Sequence, residues 1–301
     1  MSSLDYVHAD VFTSEPFSGN SLAVFPDTPD LAVSEMLRIT QELRHFESIF
    51  LRRTSDEHTM SARIFDWFEE LPFAGHPLIG AAAVLQHRAA SGESGLWRFN
   101  LSGRMVPVDV KAVDGRYWAR VHQGRPERPK RVQARPEVAK AFGLEAKDIR
   151  GDLPMEVGST GLSYLVVPLV VGAMARARVA WDITELLRCY GAQFAVLFDP
   201  AEFEIRHWNN DGVVEDVATG SAAGVVAAYA LRHGLIMPDT PIVLRQGRFA
   251  GRPSRITVWA GGRSEDVTSI HVGGDVVLVG AGTLWGRPPD LSPPPSERAP
   301  A

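Results

Sequence analysis

The chain has 301 residues, a hydrophobic content of 45% and a formal net charge of −5 at neutral pH. This is enough apolar material for two domains of about 150 residues, each with its own core. The cations are scattered along the chain, so no nucleic-acid partner is expected. The lack of a signal peptide and of an apolar run of about 18 residues predicts a cytoplasmic protein without membrane contact. The single cysteine, Cys189, excludes an intrachain disulfide and a cysteine-based zinc cluster.

The first half of the chain alternates extended and helical patterns until it reaches a turn that contains glycine. The patterns predict strands at 6–12 and 22–25, a helix at 34–43, and strands at 48–53 and 60–65. Residues 73–80, which read FAGHPLIG, then open an apolar helix that continues to residue 87. Short strands are expected after this helix.

The second half repeats this succession of elements. The patterns predict a strand at 162–171, a helix at 182–190, and strands at 192–198 and 203–208. Residues 217–224, which read VATGSAAG, open a second apolar helix that continues to residue 232 and is again followed by short strands. The repetition indicates that the two halves have the same fold.

A helix that is apolar on every face must be buried on every face. Each half therefore needs strands wrapped around its central helix, and the sequence predicts an α+β fold of two such units with a cleft between them. We expect the N-terminal ends of both helices to point into that cleft. The active site is predicted to lie there.

The predicted domains are residues 1–123 and 137–286, joined by a linker at 124–136 and followed by a tail at 287–301. The linker contains three prolines among five cations, so we expect it to be exposed, as an ordinary solvated connector rather than a docking patch. The tail contains six prolines and no periodic apolar pattern, which predicts disorder.

The first turn of each apolar helix is a candidate anion site. The first four N–H groups of a helix lack partners within it, and the helix dipole places positive charge there. Gly75 and His76 occupy one such end, and Thr219, Gly220 and Ser221 occupy the other. Together these ends would seat a carboxylate or an enolate-like intermediate, with Thr219 or Ser221 as a cap. The alternative is that both are ordinary helix starts.

Two carboxylates, Glu47 and Asp216, stand beside apolar segments rather than on charged faces. A carboxylate in a partly apolar cleft has a raised pKa, as a general base near neutral pH requires, although each acid could equally be solvated or interact with a helix dipole. His76 is a candidate for donating to a substrate oxygen or for moving a proton. The histidines show no metal-ligand spacing, so no metal site is predicted.

Several ordered motifs resemble those of the PhzF-like family, which includes isomerases of phenazine biosynthesis. They lie at 10–24, at 70–77 (ELPFAGHP), at 161–169 (GLSYLVVPL), at 215–222 (EDVATGSA) and at 246–254. Their order and spacing over most of the chain are far more specific than any one motif. On this basis, the sequence is identified as similar to this family.

The resemblance implies a diaminopimelate-epimerase-like fold, with two similar barrel-like domains and the active site between them. It implies that Glu47 takes a proton from an sp³ carbon of a cyclic amino acid and returns it elsewhere along the conjugated system, without a cofactor. By the same resemblance, His76 and Asp216 orient the substrate and assist proton movement. The residues assigned to substrate binding are Asn20, Gly75, Thr219, Gly220 and Ser221.

The sequence departs from the family pattern close to these residues. The usual Asp-Pro is Asp-Val at 216–217, and the usual Gly-Asn-Pro is Gly-Asn-Ser at 19–21. The common Thr-Pro before Glu70 gives way to Asp-Trp-Phe at 66–68. We therefore expect a substrate other than the phenazine precursor, because fold and family do not fix it.

Three functions are compatible with these motifs. The favoured one is a cofactor-independent isomerase acting on a small cyclic or unsaturated amino-acid-like metabolite with a carboxylate, in secondary metabolism. The second is an enzyme of alkylproline biosynthesis acting on a pyrroline-type intermediate, by isomerisation or carbon–carbon cleavage; an aromatic pocket around Trp67 and Trp208 would suit a ring substrate. The third is a non-catalytic interaction protein, which the presence of Glu47, His76 and Asp216 together argues against. Family resemblance also implies a homodimer.

Overall fold

The computed structural model describes residues 3–89 and 93–288. The first half consists of β1 (Ser3–Val11), β2 (Asn20–Phe25), α1 (Val33–Leu43), β3 (Glu47–Arg53), β4 (Thr59–Phe65), β5 (Glu70–Leu71), α2 (Gly75–Ala89), β6 (Ser94–Leu101), β7 (Arg104–Val113) and β8 (Arg116–Gly124). The elements that follow are β9 (Lys130–Val132), α3 (Arg135–Ala141), β10 (Met155–Ser159), β11 (Ser163–Pro168), α4 (Thr184–Tyr190), β12 (Phe194–Asp199), β13 (Glu204–Trp208), β14 (Glu215–Asp216), α5 (Gly220–Arg232), β15 (Ile242–Gln246), β16 (Ser254–Arg263) and β17 (Asp266–Trp285).

Two helices, α2 and α5, form the centres of the two halves. Residues 75–86 of α2 and 220–231 of α5 are all buried. α2 packs against β1, β2, β3, β6, β7, β8 and β17, and α5 packs against β10, β11, β16 and β17. Because both helices are apolar on every side, only a surrounding sheet removes all of that surface from water. The predicted α+β fold, with a sheet wrapped around a central helix in each half, is confirmed.

The strands of the first half close into a ring. Their hydrogen-bonded order is β17–β1–β2–β3–β4–β6–β7–β8 and back to β17. In the second half the order is β9–β10–β11–β12–β13–β15–β16–β17. A closed or nearly closed sheet leaves few unpaired strand edges, so it encloses its helix without exposing backbone groups.

The two halves are copies of one unit. The parallel pair β2–β3, connected through α1, corresponds to the parallel pair β11–β12, connected through α4. The parallel pair β4–β6 likewise corresponds to β13–β15. A bidentate ion pair recurs at the same hairpin: Arg63 donates to Glu70 in the first half, and Arg206 donates to Glu215 in the second.

Each half contributes a strand to the sheet of the other. Residues 270–276 of β17 pair with β8, and residues 276–285 pair with β1. In the other direction, the chain runs on from β8 into β9, which pairs with β10. The predicted linker, 124–136, is mostly exposed, but it contains β9 and the beginning of α3. The predicted domain boundaries stay a prediction.

The predicted disordered tail, 287–301, lies outside the described residues from 289 onward. At its beginning, Arg287 donates to the carboxylate of Glu35 in α1 over 2.7 Å. No helix in the described part of the chain combines the length and the apolar character that crossing a lipid bilayer requires.

Two glycines between β15 and β16 provide a test of how tightly this loop packs against the start of α5. Gly247 and Gly251 both have left-handed backbone, with φ of +83° and +74°. A Cβ on Gly247 would lie 2.3 Å from the carbonyl oxygen of Arg252 and 2.5 Å from that of Val217, whereas one on Gly251 meets nothing within 4 Å.

We predict that Gly251→Ala lowers the free energy of unfolding by about 1 kcal/mol, the cost of the left-handed backbone alone. Gly247→Ala should cost at least about 2 kcal/mol more, because backbone atoms at both contacts must move. Urea denaturation of the two variants and the wild type measures both values. Equal losses would show that the loop yields freely and does not hold the turn before α5.

Candidate active site

Glu47 is the first residue of β3 and lies at the cleft between the halves. α1 ends at Arg44, which adopts left-handed backbone with φ of 60°, so the chain turns sharply before β3 begins. The indole N–H of Trp67 donates to the carbonyl oxygen of His45. The ring of Trp67 also stacks on Phe46, with a centroid distance of 6.3 Å. These contacts hold the three residues that precede Glu47 and so fix where its side chain enters the cleft.

The carboxylate of Glu47 touches the imidazole of His76. Glu47 Oε2 and His76 Nε2 lie 2.7 Å apart, with 19% of the glutamate side chain and 5% of the histidine side chain exposed. The angles do not meet those of a hydrogen bond, and neither atom has another hydrogen-bond partner among the described residues. A small rotation of either side chain would make the contact a proton-transfer path.

Both groups favour their neutral forms. Burial raises the pKa of Glu47 well above its usual value, and the negative charges of Asp216 and Asp66 raise it further. Burial lowers the pKa of His76 to about 4, although Asp216 acts in the opposite direction. The contact is therefore not an ion pair at neutral pH. It joins a neutral imidazole to a carboxyl group that holds its proton to higher pH than an exposed glutamate does.

Asp216 is held at the cleft by residues from both halves. Thr219 donates its hydroxyl to Asp216 Oδ2 over 2.6 Å, and Asn20 donates its amide to Asp216 Oδ1 over 3.2 Å and to the carbonyl oxygen of Ala218 over 3.0 Å. The side-chain amide oxygen of Asn20, Oδ1, is buried and has no hydrogen-bond partner in the described part of the chain. It is thus an unused acceptor at the centre of the site.

The loop before Asn20 is anchored by a residue of the other half. Arg252 donates to the buried carboxylate of Asp10 over 2.8 Å and to the carbonyl oxygens of Ser18 and Gly19 over 2.9 and 2.8 Å. An ion pair that is mostly buried and further hydrogen-bonded fixes geometry more strongly than an exposed one. Asn20 therefore reaches Asp216 from a rigid support.

The first residues of α2 and α5 face each other almost in contact. A Cβ on Gly75 would lie 3.9 Å from the Cα of Gly220, and a Cβ on Gly220 would lie 3.3 Å from the ring of Phe12. A side chain at Gly220 would press on Phe12, whereas one at Gly75 would make ordinary van der Waals contact with Gly220. Since each end carries unpaired N–H groups and partial positive charge, the arrangement favours an anion between them.

The predicted side-chain cap of α5 is wrong. No side chain forms a cap hydrogen bond there, because the Thr219 hydroxyl donates to Asp216 and the Ser221 hydroxyl is paired with that of Tyr164 over 2.7 Å. The backbone N–H of Thr219 instead donates to Gln246, whose amide in turn donates to the carbonyl oxygen of Asp216. An uncapped helix end keeps its N–H groups available to a ligand.

The structure brings together all the residues that the sequence nominated at the two helix starts, and it adds others. Sequence reasoning did not identify Gln123, whose amide donates to the carbonyl oxygen of Gly220 over 3.1 Å. It lies in a strand, where no local pattern shows which helix end a side chain will reach. Tyr164 and Gln246 stood in family motifs, but only the structure shows their contacts with Ser221 and with Thr219 and Asp216.

The prediction of an aromatic pocket around Trp67 and Trp208 is wrong for Trp208. Trp67 supports the segment before Glu47, but Trp208 is buried in the outer core of the second half, with the guanidinium of Arg206 over its ring at 4.3 Å. Cys189 is exposed on α4, away from both helix ends. Among the described residues, no group of three or more His, Cys, Asp or Glu side chains is placed to hold a metal ion.

Comparison with known proteins finds close similarity over nearly the whole chain. The sequence pattern of the PhzC-PhzF family, described as phenazine biosynthesis-like proteins, matches residues 9–282. The trans-2,3-dihydro-3-hydroxyanthranilate isomerase of Pseudomonas aeruginosa is 34% identical over 294 residues, covering 93% of this chain and 99% of the relative.

Two solved structures show the same fold. A predicted epimerase of Pseudomonas aeruginosa superposes with a TM-score of 0.88 at 43% sequence identity, covering 94% of this chain and 99% of the other. A hydroxyproline epimerase of Agrobacterium vitis, solved with trans-4-hydroxy-L-proline, superposes with a TM-score of 0.61 at 11% identity, covering 96% and 94% of the two chains. The second likeness concerns the fold alone.

The raised pKa of Glu47 predicts how Glu47→Gln changes stability with pH. An acid whose pKa is higher in the folded state contributes stability that is full below its unfolded value, near 4.5, and is lost as pH rises through the folded value. Relative to the wild type, Glu47→Gln should therefore gain stability above pH 4.5, by up to about 1.4 kcal/mol per pH unit until the folded pKa is reached.

Urea denaturation at intervals from pH 4 to pH 8 measures this difference. Glu57→Gln, at an exposed position, is the matched control and should differ from the wild type by an amount that does not depend on pH. A flat difference for Glu47→Gln as well would mean that the buried carboxylate ionises as easily as an exposed one.

Proposed function

The chain belongs to the phenazine biosynthesis-like family, and we propose that it moves a proton on a small amino-acid-like substrate with Glu47 as its acid and base. The P. aeruginosa relative described above is named an isomerase. The observation that carries the proposal is the contact of 2.7 Å between Glu47 and His76 at the N-terminal end of α2. A carboxyl group with a raised pKa beside a neutral imidazole is suited to reversible proton transfer.

The proposed reaction needs only one acid–base group. In the first step, ionised Glu47 removes a proton from an sp³ carbon, and the electron pair of the broken C–H bond delocalises into the adjacent unsaturated system. In the second step, the protonated Glu47 returns that proton to another carbon of the same system. Atoms and charge balance without an external oxidant or reductant. His76, neutral at physiological pH, donates to or accepts from whichever form Glu47 holds.

The facing helix ends supply the binding of the substrate carboxylate in this proposal. Because Gly75 and Gly220 lie side by side, the N–H groups at the starts of α2 and α5 would bind the same carboxylate. The negative charge that develops when the proton leaves would be stabilised by the same groups. The unpaired side-chain oxygen of Asn20, Oδ1, is an acceptor for a substrate N–H or O–H, which favours an amino-substituted or hydroxylated acid.

The chemistry of the helix ends argues against a two-thiol racemase. Racemisation by a pair of cysteines needs one thiol at each helix start, whereas these positions hold His76 and Ser221 here. The P. aeruginosa relative is named for trans-2,3-dihydro-3-hydroxyanthranilate, a cyclic, unsaturated amino acid. We propose a substrate of this class for the present chain, with a pyrroline-type acid as the second candidate. A homodimer is proposed from family resemblance alone, and a cytoplasmic location from the sequence, whose single cysteine agrees with a reducing compartment.

Deuterium exchange tests the proposal. Wild-type protein is incubated in D₂O with cyclic and unsaturated amino acids, including trans-2,3-dihydro-3-hydroxyanthranilate and a pyrroline carboxylate, and C–H exchange is followed by NMR. We expect exchange at a carbon next to the unsaturated system of one ligand. Glu47→Gln should slow it by at least about a hundredfold, because the only acid–base group at that carbon is lost.

Glu57→Gln is the control for this experiment and should exchange at the wild-type rate, since its side chain is exposed and distant from the helix ends. Exchange that persists in Glu47→Gln would move the base to another residue. A ligand that binds tightly to the wild type without any exchange would overturn the proton shift and favour a binding protein.

A further inference from the structure

The hydroxyl groups of Tyr164 and Ser221 form an isolated pair at the N-terminal end of α5. Their oxygen atoms lie 2.7 Å apart, and the tyrosine hydroxyl has no other hydrogen-bond partner in residues 3–89 and 93–288. Tyr164 is 2% exposed and Ser221 is 8% exposed. Two hydroxyls that share one hydrogen bond keep one proton free, because each has a single proton to donate.

The internal duplication places this pair opposite the pair of Glu47 and His76. Gly220 and Ser221 begin α5 as Gly75 and His76 begin α2, so Ser221 corresponds to His76. His76 contacts Glu47 from β3 over 2.7 Å, and Ser221 contacts Tyr164 from β11 over the same distance. Each half thus directs one strand residue at the second residue of its central helix.

The aromatic ring of Tyr164 is fixed by its neighbours. It lies 5.5 Å from the ring of Phe194, its pairing partner across β11 and β12, and 5.5 Å from the ring of His207. His207 is itself held by a hydrogen bond of 2.9 Å with the carbonyl oxygen of Ala195. A ring packed on two sides presents its hydroxyl in one direction, toward Ser221.

We propose that Tyr164 is a positioning residue that donates its hydroxyl proton to Ser221, so that the Ser221 proton points at the substrate carboxylate. This inference rests on the proposed function, because it assigns an orientation to the binding of that carboxylate. The chain of two donors polarises the serine hydroxyl and makes it a stronger donor than an isolated one.

The electrostatic surroundings agree with a tyrosine that stays protonated. Burial raises the pKa of Tyr164 by more than its hydrogen bond with Ser221 lowers it, and the nearby Asp216 and Glu47 raise it further. Its hydroxyl therefore keeps its proton throughout the physiological range of pH and is able to donate it. Without the Tyr164 hydroxyl, Ser221 could turn its proton toward another acceptor, and the substrate carboxylate would lose a directed hydrogen bond.

The test measures ligand binding, so that it does not depend on turnover. Dissociation constants for anthranilate, an aryl amino acid with a carboxylate, and for aniline, which lacks it, are measured by calorimetry for wild type, Tyr164→Phe, Ser221→Ala and the double variant. Tyr164→Phe keeps the packed ring and should weaken anthranilate binding by about three- to tenfold, the value of one lost hydrogen bond. Aniline binding should not change.

The double variant decides whether Tyr164 acts through Ser221. If it does, anthranilate binds the double variant as it binds Ser221→Ala, because the tyrosine has no partner left to orient. Independent, multiplicative losses would overturn the proposal, as would a wild type that does not bind anthranilate. Tyr229→Phe is the matched control: its buried hydroxyl donates to the carbonyl oxygen of Pro154 over 2.8 Å, so it should lower stability and leave binding unchanged.

Failure of this inference and failure of the proposed function give different results. A wild type that binds anthranilate with the expected coupling, but catalyses no deuterium exchange, retains the role of Tyr164 in a binding protein. Exchange that depends on Glu47, together with uncoupled losses at Tyr164 and Ser221, retains the isomerase and rejects the positioning role.

Discussion

An α-helix without a polar face is stable in water only inside a shell that covers all its sides, and this chain contains two such helices. Residues 75–86 and 220–231 force the surrounding strands to close around them, which leaves the ends of each helix as the places where its unpaired backbone groups can be reached. The two N-terminal ends meet, with Gly75 beside Gly220. The positively polarised site between the halves is therefore a result of how the apolar helices are buried rather than a separate addition to the fold.

The symmetry of the scaffold contrasts with the asymmetry of its chemistry. The hairpin ion pairs Arg63–Glu70 and Arg206–Glu215 are retained in both copies, as structural parts of the repeated unit. At the start of the equivalent strands β3 and β12, however, the residues differ: Glu47 in the first half and Phe194 in the second. The first half thus carries Glu47 and His76, whereas the second carries Asp216 together with the Tyr164 ring and the Ser221 hydroxyl. In the proposed reaction, the first half changes its proton content while the second holds the ligand.

Much of this organisation could be predicted from the sequence, because all-apolar helices and alternating strands are strong local signals. The roles of Glu47 and His76 were inferred from family resemblance, but nothing in the sequence predicts that their side chains lie 2.7 Å apart. The role assigned to Trp208 was wrong because strand residues alternate between faces, and Trp208 lies on the outer face of β13 whereas His207 faces the site. β9 has three residues within a proline-rich, basic segment, so its pairing with β10 depends on distant partners that no local pattern reveals.

The exchange of strands between the halves has a consequence for how the protein is made. β1, at residues 3–11, completes its ring only by pairing with residues 276–285, near the other end of the described chain. On a ribosome, which delivers the chain from the N-terminus, the first half is complete in sequence long before its barrel can close. Its apolar interior stays partly exposed to water until β17 has paired with β1. The contacts that finish the fold are among those of greatest sequence separation in the described chain, and contacts of this kind slow folding.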